Sequence, residues 1–358
     1  MFYNEVGQFK TSYRADQALF PIRQDLIALG VFLIFLYAVV PFTFNNFWLN
    51  TVVIPTLIFG VATIGLNILT GYAGQLSFGT GAFMGVGAYT AFKLTTYFPE
   101  INIVILILTS GVTSAAIGLF FGIPSLRIKG LYLAVATLAA QFFLEWVFIQ
   151  MHWLNNYSES GAIVAPTRTL FGVAITGPSA TASARYLVVL SIVVLLTWIA
   201  ANLVRGRFGR SWRAVRDMDI AAELIGISLF GAKLRAFAVS SFYCGVSGAM
   251  LVFFLYGAAE PNVFDINRSF SILFMVIIGG LGSIYGSFLG AAFIWNLPII
   301  IRLIPLALGL RVEPVYTEFL TSMIEGALII SVLIVEPRGF ARLWQIAREK
   351  LRLWPFPY

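Results

Sequence analysis

The stretch NIVILILTSGVTSAAIGLFFGI, residues 102–123, holds no charged residue. A helix needs roughly 20 mainly apolar residues to cross the hydrocarbon core of a bilayer, and this stretch is long enough. Backbone groups in lipid find no water, so a spanning segment must pair them within its own helix or within a closed barrel. The stretch therefore predicts a transmembrane helix.

The composition of the whole chain extends this prediction. Of its 358 residues, 59% are hydrophobic and 11% are charged, and its mean hydropathy is +0.89. A soluble domain carries about 25% charged residues, so we expect an integral membrane protein. Its apolar runs are continuous and do not alternate, which favours an all-α fold over a barrel. The net charge of +7 does not indicate a nucleic-acid partner, because the basic residues cluster at the ends of the apolar runs.

The apolar runs predict a polytopic transmembrane helical bundle of about ten spans. They cover residues 26–40, 48–69, 74–92, 102–123, 131–151, 186–204, 236–257, 269–280, 283–301 and 319–335. We expect residues 1–25 to form a cytoplasmic N-terminal segment, residues 26–335 the transmembrane domain, and residues 336–358 a cytoplasmic C-terminal tail. The runs within 74–92 and 269–301 are the least apolar, and either could be re-entrant or broken.

Charged residues between the runs indicate the orientation. Loops on the cytoplasmic side carry an excess of Lys and Arg. With the N-terminus in the cytoplasm, the basic segments fall inside, namely Arg127, Lys129, residues 205–235 and the tail. The acidic segments fall outside, namely Glu100, the 152–185 loop, Glu260, Asp265 and Glu313. Both termini are therefore expected in the cytoplasm, and lipid is expected around the bundle.

Two Gly-rich stretches interrupt the apolar pattern. They read GYAGQLSFGTGAFMGVGAY at residues 71–89 and IGGLGSIYGSFLGAAF at residues 278–293. Small residues let helix backbones approach closely in lipid, so one interpretation is tight packing alone. The other is a pair of interrupted helices in corresponding halves of the chain that line a passage. The sequence leaves both open.

One dense polar segment, residues 205–235, lies between two long apolar runs. It reads RGRFGRSWRAVRDMDIAAELIGISLFGAKLR, and we call it the island. The pattern predicts a short amphipathic helix over residues 218–225, with acidic groups near its start and Gly226 at its end. Such a helix suits docking to a cytoplasmic partner. The alternative is a solvated loop whose arginines contact lipid headgroups.

The chain offers no site for a nucleotide or a metal. GISLFGAK, residues 226–233, resembles a phosphate-binding loop, but Ala232 follows Gly231 where Lys is needed, Leu234 follows the lysine, and no strand precedes the segment. The chain has one cysteine and one histidine, which leaves no recognisable metal site. We expect no cofactor, no enzymatic activity in this chain, and ATP hydrolysis, if used, on another chain.

Glu145 and Glu325 lie within predicted spans. A carboxylate inside a membrane is a functional candidate. Both residues are also close enough to a span end to reach water. They keep open a second class of function, an ion-coupled secondary transporter that acts without an ATPase.

Four stretches occur together in one order. They are LNILTGYAGQLSFGTGAFMGVGAYTA (66–91), GIPSLRIKGLYLAVATL (122–138), GRSWRAVRDMDIAAELIGISLFGAKLRAFAVSSF (209–242) and FMVIIGGLGSIYGSFLGAAF (274–293). Taken together, they resemble the M-type permease subunit of bacterial branched-chain amino-acid ABC importers. The resemblance implies the ABC importer permease fold with interrupted Gly-rich helices, in the bacterial inner membrane.

The resemblance also implies partners and a substrate class. The partners are a second homologous permease subunit forming a heterodimer, two cytoplasmic ATP-binding subunits and a periplasmic substrate-binding protein. Branched-chain amino acids are the expected substrates, although relatives carry urea, amides or aromatic acids. Uptake by this chain alone, without ATP, would instead indicate the ion-coupled transporter.

The expected functional residues form two groups. The group that couples to the ATPase is Arg213, Arg216, Asp219, Ala221, Ala222, Glu223 and Gly226. The group along the translocation path is Gly71, Gly74, Gln75, Ser77, Gly79, Phe83, Gly279, Gly280, Gly282 and Gly286.

Overall fold

A computed structural model gives the fold of the chain. It describes residues 11–12, 23–126, 132–154, 157, 163–170, 172–177, 180–307, 314–335 and 339–353. Arg127, Lys129, Glu313 and most of the expected N-terminal segment lie outside these residues.

The described chain is almost entirely helical, which confirms the all-α class. The helices are α1 (Arg23–Ile34, a π-helical turn Phe35–Val39, and Val40–Thr43), α2 (Asn46–Trp48, a π-helical turn Leu49–Val53, Ile54–Asn67, and a π-helical turn Ile68–Tyr72), α3 (Thr80–Tyr97), α4 (Ile103–Ser125), α5 (Tyr132–Gln150), α6 (Ala182–Arg205), α7 (Arg207–Asp217), α8 (Asp219–Leu224), α9 (Leu229–Leu251 and a π-helical turn Val252–Tyr256), α10 (Ile266–Gly279, preceded by a 3₁₀ turn Pro261–Phe264), α11 (Ile284–Ala307), α12 (Pro314–Val335) and α13 (Gly339–Leu353). Two short antiparallel pairs accompany them: β1 (Ile163–Val164) with β4 (Ala258–Ala259), and β2 (Thr169–Leu170) with β3 (Val173–Ala174).

Eight helices in the described part of the chain are long and apolar enough to cross a membrane, not ten. They are Leu26–Thr43, Asn46–Tyr72, Ile103–Ser125, Leu133–Gln150, Ala182–Arg205, Leu229–Tyr256, Pro261–Gly279 and Ile284–Ile301. The span expected at 74–92 is replaced by α3, which begins only at Thr80 and whose Gly, Thr and Lys93 residues make it too polar to qualify. The span expected at 319–335 lies in α12, where many side chains are outside the described residues.

Helices α2 and α9 form the centre of the bundle. In each, 78% of the most apolar window is buried inside the protein, against 11–44% in the other six candidate spans. α9 packs along α4, α3 and α2, and α2 also packs on α11. The outer helices therefore carry the surfaces that are left for lipid and for partner chains.

Glycines allow the central helices to touch backbone to backbone. A methyl group added at Gly248 of α9 would collide with the Met84 carbonyl of α3, and one added at Gly87 of α3 would collide with the Gly245 carbonyl of α9. Helices in lipid gain little from the hydrophobic effect and associate through such close packing. Close helix packing thus accounts for Gly87 in the first Gly-rich stretch.

Candidate functional site

The first Gly-rich stretch contains a break between two helices. α2 ends in a π-helical turn at Tyr72, residues 73–79 are not helical, and α3 starts at Thr80. Gly74 has φ +68°, a left-handed conformation in which a side chain would be strained. A methyl group there would also lie 2.8 Å from the Arg216 Cγ atom, so the break and the island are in contact.

The second Gly-rich stretch contains a tight turn. α10 ends at Gly279 and α11 begins at Ile284. Gly280 and Gly282 in the turn have φ +114° and +76°. Glycine is suited to both positions because it lacks the Cβ atom that makes positive φ costly. The expectation of an interruption at 278–293 is confirmed in position, as a turn between two helices.

Asn67 joins the two interruptions. Its Oδ1 atom accepts a hydrogen bond from the Gly282 amide at 2.8 Å. Its Nδ2 atom donates to the Ser283 carbonyl and to Ser287 Oγ, both at 2.9 Å. Asn67 is 1% exposed, and a buried amide group is stable only when its donors and acceptors are paired, as they are here. The side chain fixes the turn before α11 against the end of α2.

Arg216 of the island contacts the end of α2, beside the turn that precedes α11. Its Nη1 atom donates to the Gly71 carbonyl at 2.7 Å and its Nε atom donates to Asp217 Oδ1 at 2.8 Å, while Nη2 lies 2.8 Å from the same oxygen in an ion pair. Gly71 lies in the last turn of α2, where backbone carbonyls are left without helical partners and a cation is favoured. Nη1 also lies 3.7 Å from where a Gly282 side chain would begin. The island and both interruptions therefore meet at Arg216.

The island itself is anchored by buried side chains of α7. Trp212 is 1% exposed and donates from Nε1 to the Ala232 carbonyl of α9 at 3.0 Å. Val215 is buried beside it, and Arg213 donates to the Gly209 and Val204 carbonyls at 3.3 and 3.4 Å. This anchorage makes α7 an integral part of the bundle instead of a loose loop.

The helix expected at 218–225 is present as α8, Asp219–Leu224, and Gly226 follows it with φ +85°. Of the island residues expected to couple, Ala222 is buried, whereas Asp219, Ala221, Glu223 and Gly226 are exposed. Large apolar side chains on this turn also point outward: Met218, Ile220, Leu224 and Ile225 are 71–84% exposed. The described residues of this chain do not cover Ile220, Leu224 or Ile225.

The start of α3 is held by side chains from two other helices. The Gly81 amide donates to Ser269 Oγ of α10 at 2.7 Å, and the Ala82 amide donates to Gln141 Oε1 of α5 at 2.7 Å. Gln141 Nε2 in turn donates to the Phe264 carbonyl at 2.8 Å. The first amides of a helix have no partners inside it, so these contacts supply the capping that α3 needs within the bundle.

The remaining expected path residues divide between two environments. Ser77, Gly79 and Phe83 lie around the start of α3, where Ser77 accepts from the Gly79 amide at 3.4 Å and Phe83 packs edge-on against Phe237. Gly279 and Gly286 pack against each other, because a methyl group on either would collide with the carbonyl of the other. The first group lies at the break, and the second serves helix packing.

A cavity of about 610 Å³ lies between the break and the island. It is lined by Ala73, Gly74, Gln75, Leu76, Leu126, Leu133, Ala134, Val215, Arg216, Asp217, Met218, Asp219, Ile220 and Lys233. Two predicted groups, the path residues Gly74 and Gln75 and the coupling residues Arg216 and Asp219, thus face one space.

Three polar residues at these sites were not predicted as functional: Asn67, Gln141 and Ser269. The available signal was their position inside or at the edge of an apolar run, where a polar side chain needs a partner. Glu145 of α5 is half-buried, and the side chain of Glu325 lies outside the described residues. The described residues hold no group of three or more His, Cys, Asp or Glu side chains that could bind a metal.

Comparison with known proteins bears on the whole bundle. Residues 49–333 match the family model described as branched-chain amino acid transport system / permease component. The high-affinity branched-chain amino acid transport system permease proteins LivM of Salmonella typhimurium and of Escherichia coli are each 30% identical to the chain over 321 residues, which is 83% of this chain and 70% of the relative. A probable branched-chain amino acid transport permease protein LivM of Methanocaldococcus jannaschii is 23% identical over 322 residues, 78% of this chain and 89% of that protein. No solved structure matches the chain significantly.

Proposed function

Because the chain belongs to the family of permease components of branched-chain amino acid transport systems, we propose that it is the M-type permease subunit of an ATP-driven importer that carries branched-chain amino acids into the cytoplasm. In this assignment residues 26–335 form the permease domain, with the coupling loop at 205–235. Residues 1–25 and 336–358 flank it, both on the cytoplasmic side of a bacterial inner membrane.

The proposal includes partners. A second, homologous permease subunit completes the passage as a heterodimer, two ATP-binding subunits act from the cytoplasm, and a periplasmic binding protein delivers the substrate. The outer helices of the bundle have extensive exposed apolar surface, which suits contact with lipid and with a second permease. An ATP-binding partner is needed because the chain has no phosphate-binding loop of its own.

The observation that carries the coupling mechanism is the hydrogen bond from Arg216 to the Gly71 carbonyl. Arg216 lies in the last turn of α7, which ends at Asp217, and the exposed α8 follows directly. A partner that grips α8 can therefore displace Arg216, and Arg216 holds the end of the helix that precedes the break. We propose that ATP-driven movement of the ATPases reaches the passage along this route.

Docking of the ATPase is assigned to α8. The coupling residues Asp219, Ala221, Glu223 and Gly226 are exposed together with the apolar side chains of Ile220 and Leu224. Exposed apolar side chains rimmed by polar ones are typical of a protein interface. Ala222, which is buried, and Arg213, which is hydrogen-bonded within the bundle, fix α8 and the preceding α7 to the other helices.

The passage is assigned to the break at 73–79 and the turn that Asn67 holds against it. Gly71, Gly74, Gln75, Gly280 and Gly282 form the part nearest the island. Ser77, Gly79 and Phe83 continue along the start of α3, and Gly279 and Gly286 supply the close packing that lets α10 and α11 support the turn. These roles follow from position and contacts.

The test is reconstitution. The chain is co-expressed with its second permease and two ATP-binding subunits, placed in proteoliposomes, and supplied with the binding protein outside and ATP inside. We expect leucine uptake that needs all of these components. Uptake of leucine by this chain alone, driven by an ion gradient and without ATP, would overturn the proposal in favour of a secondary transporter.

A further inference from the structure

We propose that the cavity between the break and the island is a binding site for a zwitterionic amino acid with an aliphatic side chain, reached from the cytoplasm. This rests on the proposed function, which sets the island on the cytoplasmic side. The cavity volume of about 610 Å³ lies within the range of roughly 300–1,000 Å³ typical of small-molecule sites. Its lining contains groups suited to the carboxylate, to the ammonium group and to the aliphatic side chain of such a molecule.

Two cations are available for the carboxylate. Lys233 and Arg216 both line the cavity. In the described part of the chain, no hydrogen bond or ion pair engages the Lys233 ammonium group. Arg216 donates one N–H group to Gly71 and one to Asp217, so others of its five N–H groups remain for a ligand. Charge-assisted hydrogen bonds of this kind are about twice as strong as neutral ones.

Acceptors for the ammonium group line the same cavity. Asp217, whose Oδ1 atom is paired with Arg216, and Asp219, which the proposed function also places on the ATPase-docking helix, contribute carboxylates, and Gln75 contributes an amide. Gln75 is only 8% exposed, and its Oε1 atom has no hydrogen-bond partner among the described residues. A buried acceptor without a donor is costly, and a bound ammonium group would supply the donor.

The rest of the lining is apolar. Leu76, Leu126, Leu133 and Ala134 lie together with the apolar island residues Val215 and Met218. These side chains suit a branched hydrocarbon group. The mixed lining therefore favours a small, charged yet partly apolar ligand.

The site also touches the coupling route. Arg216 belongs to the cavity wall and holds Gly71 at the same time, and Gln75 lies in the break itself. A bound amino acid would thus contact both the passage and the island. The imported amino acid would bind this site last, before its release into the cytoplasm. A high cytoplasmic concentration of the amino acid would keep the site occupied.

The test uses the complete importer in nanodiscs without ATP and without the binding protein, with radiolabelled leucine as the probe. We expect saturable binding of leucine. Competition by 4-methylpentanoate, which lacks the ammonium group, and by 3-methylbutylamine, which lacks the carboxylate, should each be weaker by about tenfold or more. Lys233→Gln and Gln75→Leu should weaken leucine binding by about tenfold, and Lys233→Arg should restore most of it.

Two further variants define the location. Leu133→Trp should fill the cavity and abolish binding while the complex still assembles, as judged by its elution volume. Lys350→Gln, which removes an exposed cation from α13, should leave binding unchanged. Binding that survives both Lys233→Gln and Leu133→Trp places leucine elsewhere and overturns the proposal.

The outcomes separate this inference from the function on which it rests. Normal ATP-dependent leucine uptake without saturable binding in the nanodisc complex would refute the cytoplasmic site alone. Loss of ATP-dependent uptake in the unmodified complex would refute the proposed function instead. Equal binding of leucine and 4-methylpentanoate would show a merely apolar crevice and would also refute the site.

Discussion

The guanidinium group of Arg216 donates a hydrogen bond to the carbonyl oxygen of Gly71, 145 positions away in the sequence, at a distance of 2.7 Å. The bond ties the last residues of α7 to the π-helical turn that ends α2. Asp217 holds the same guanidinium from the other side, so Arg216 has a fixed direction. One side chain thus links the exposed island to the interrupted helix inside the bundle.

Arg216→Gln is predicted to uncouple transport from ATP hydrolysis. The variant loses a charge-assisted hydrogen bond worth about 1.5–3 kcal/mol, which is enough to let the end of α2 move independently of α7. We expect leucine uptake to fall by at least about tenfold while the ATPase rate of the assembled complex is retained. Both rates are measured on the same proteoliposomes.

Two control variants accompany Arg216→Gln. Arg216→Lys keeps the positive charge but loses the planar fork that serves Gly71 and Asp217 together, so it should recover uptake only in part. Arg342→Gln removes an arginine from α13, outside the site, and should leave both rates unchanged. Equal uptake by Arg216→Gln and the unmodified protein would contradict the coupling route.

Asn67→Leu is predicted to destabilise the bundle. Leucine has a similar size but leaves the Gly282 amide and the Ser283 carbonyl without their partners. Each buried group left unpaired costs about 1–3 kcal/mol, so the midpoint of thermal unfolding of the purified chain in detergent should fall by several degrees.

The control for Asn67→Leu is the same substitution at an exposed asparagine, Asn202. Asn202 of α6 is exposed, and its side chain donates to the Trp198 carbonyl in its own helix at 3.0 Å. Asn202→Leu should shift the midpoint little. If the two variants unfold at the same temperature, Asn67 does not hold the two interruptions together.

Much of this architecture was predictable from the sequence because the relevant forces are local. Continuous apolar runs predict helices in lipid, and the run at 102–123 is α4 almost residue for residue. The position of the second interruption and of the helix in the island also followed from Gly, charge and capping patterns, whereas the first break falls at the start of the span predicted at 74–92. These features depend on neighbours along the chain.

Other features depend on contacts between distant segments and could not be predicted. A polar residue in an apolar run shows that a partner exists, but the sequence does not show that the partner of Asn67 is the turn at Gly282. In the described part of the chain eight helices qualify as spans, not about ten, and at α3 the reason lies in its composition. α3 is polar enough to be a doubtful span by composition, and its Gly residues are explained by its contact with α9.

Gly248→Val is predicted to prevent correct packing of α9 on α3. The new side chain would collide with the backbone of Met84, which cannot move aside as a flexible side chain can. Overpacking in a well-packed core costs about 1–3 kcal/mol and often more, so we expect a lower yield of monodisperse protein and a lower unfolding midpoint.

Gly30→Ala is the control for Gly248→Val, at a glycine with free space around it. Nothing lies within 4 Å of the position of its new methyl group, and Gly30 is within a helix. Replacing glycine in a helix by alanine stabilises it by about 0.5–1 kcal/mol, so the midpoint should stay constant or rise. A tolerated Gly248→Val would show that the α3–α9 contact is looser than the structure gives.

Leu224→Glu is predicted to detach the ATP-binding subunits. Leu224 is 84% exposed at the end of α8, so the substitution has no core contact to break within this chain. Any loss must therefore come from an interface, and placing a carboxylate in the apolar centre of one costs about 2 kcal/mol or more. Co-purification of the ATP-binding subunits with the tagged permease should fall sharply, while the second permease remains bound. Leu343→Glu makes the same change at an exposed leucine of α13 and should retain all subunits, so equal recovery from the two variants would remove α8 from the docking surface.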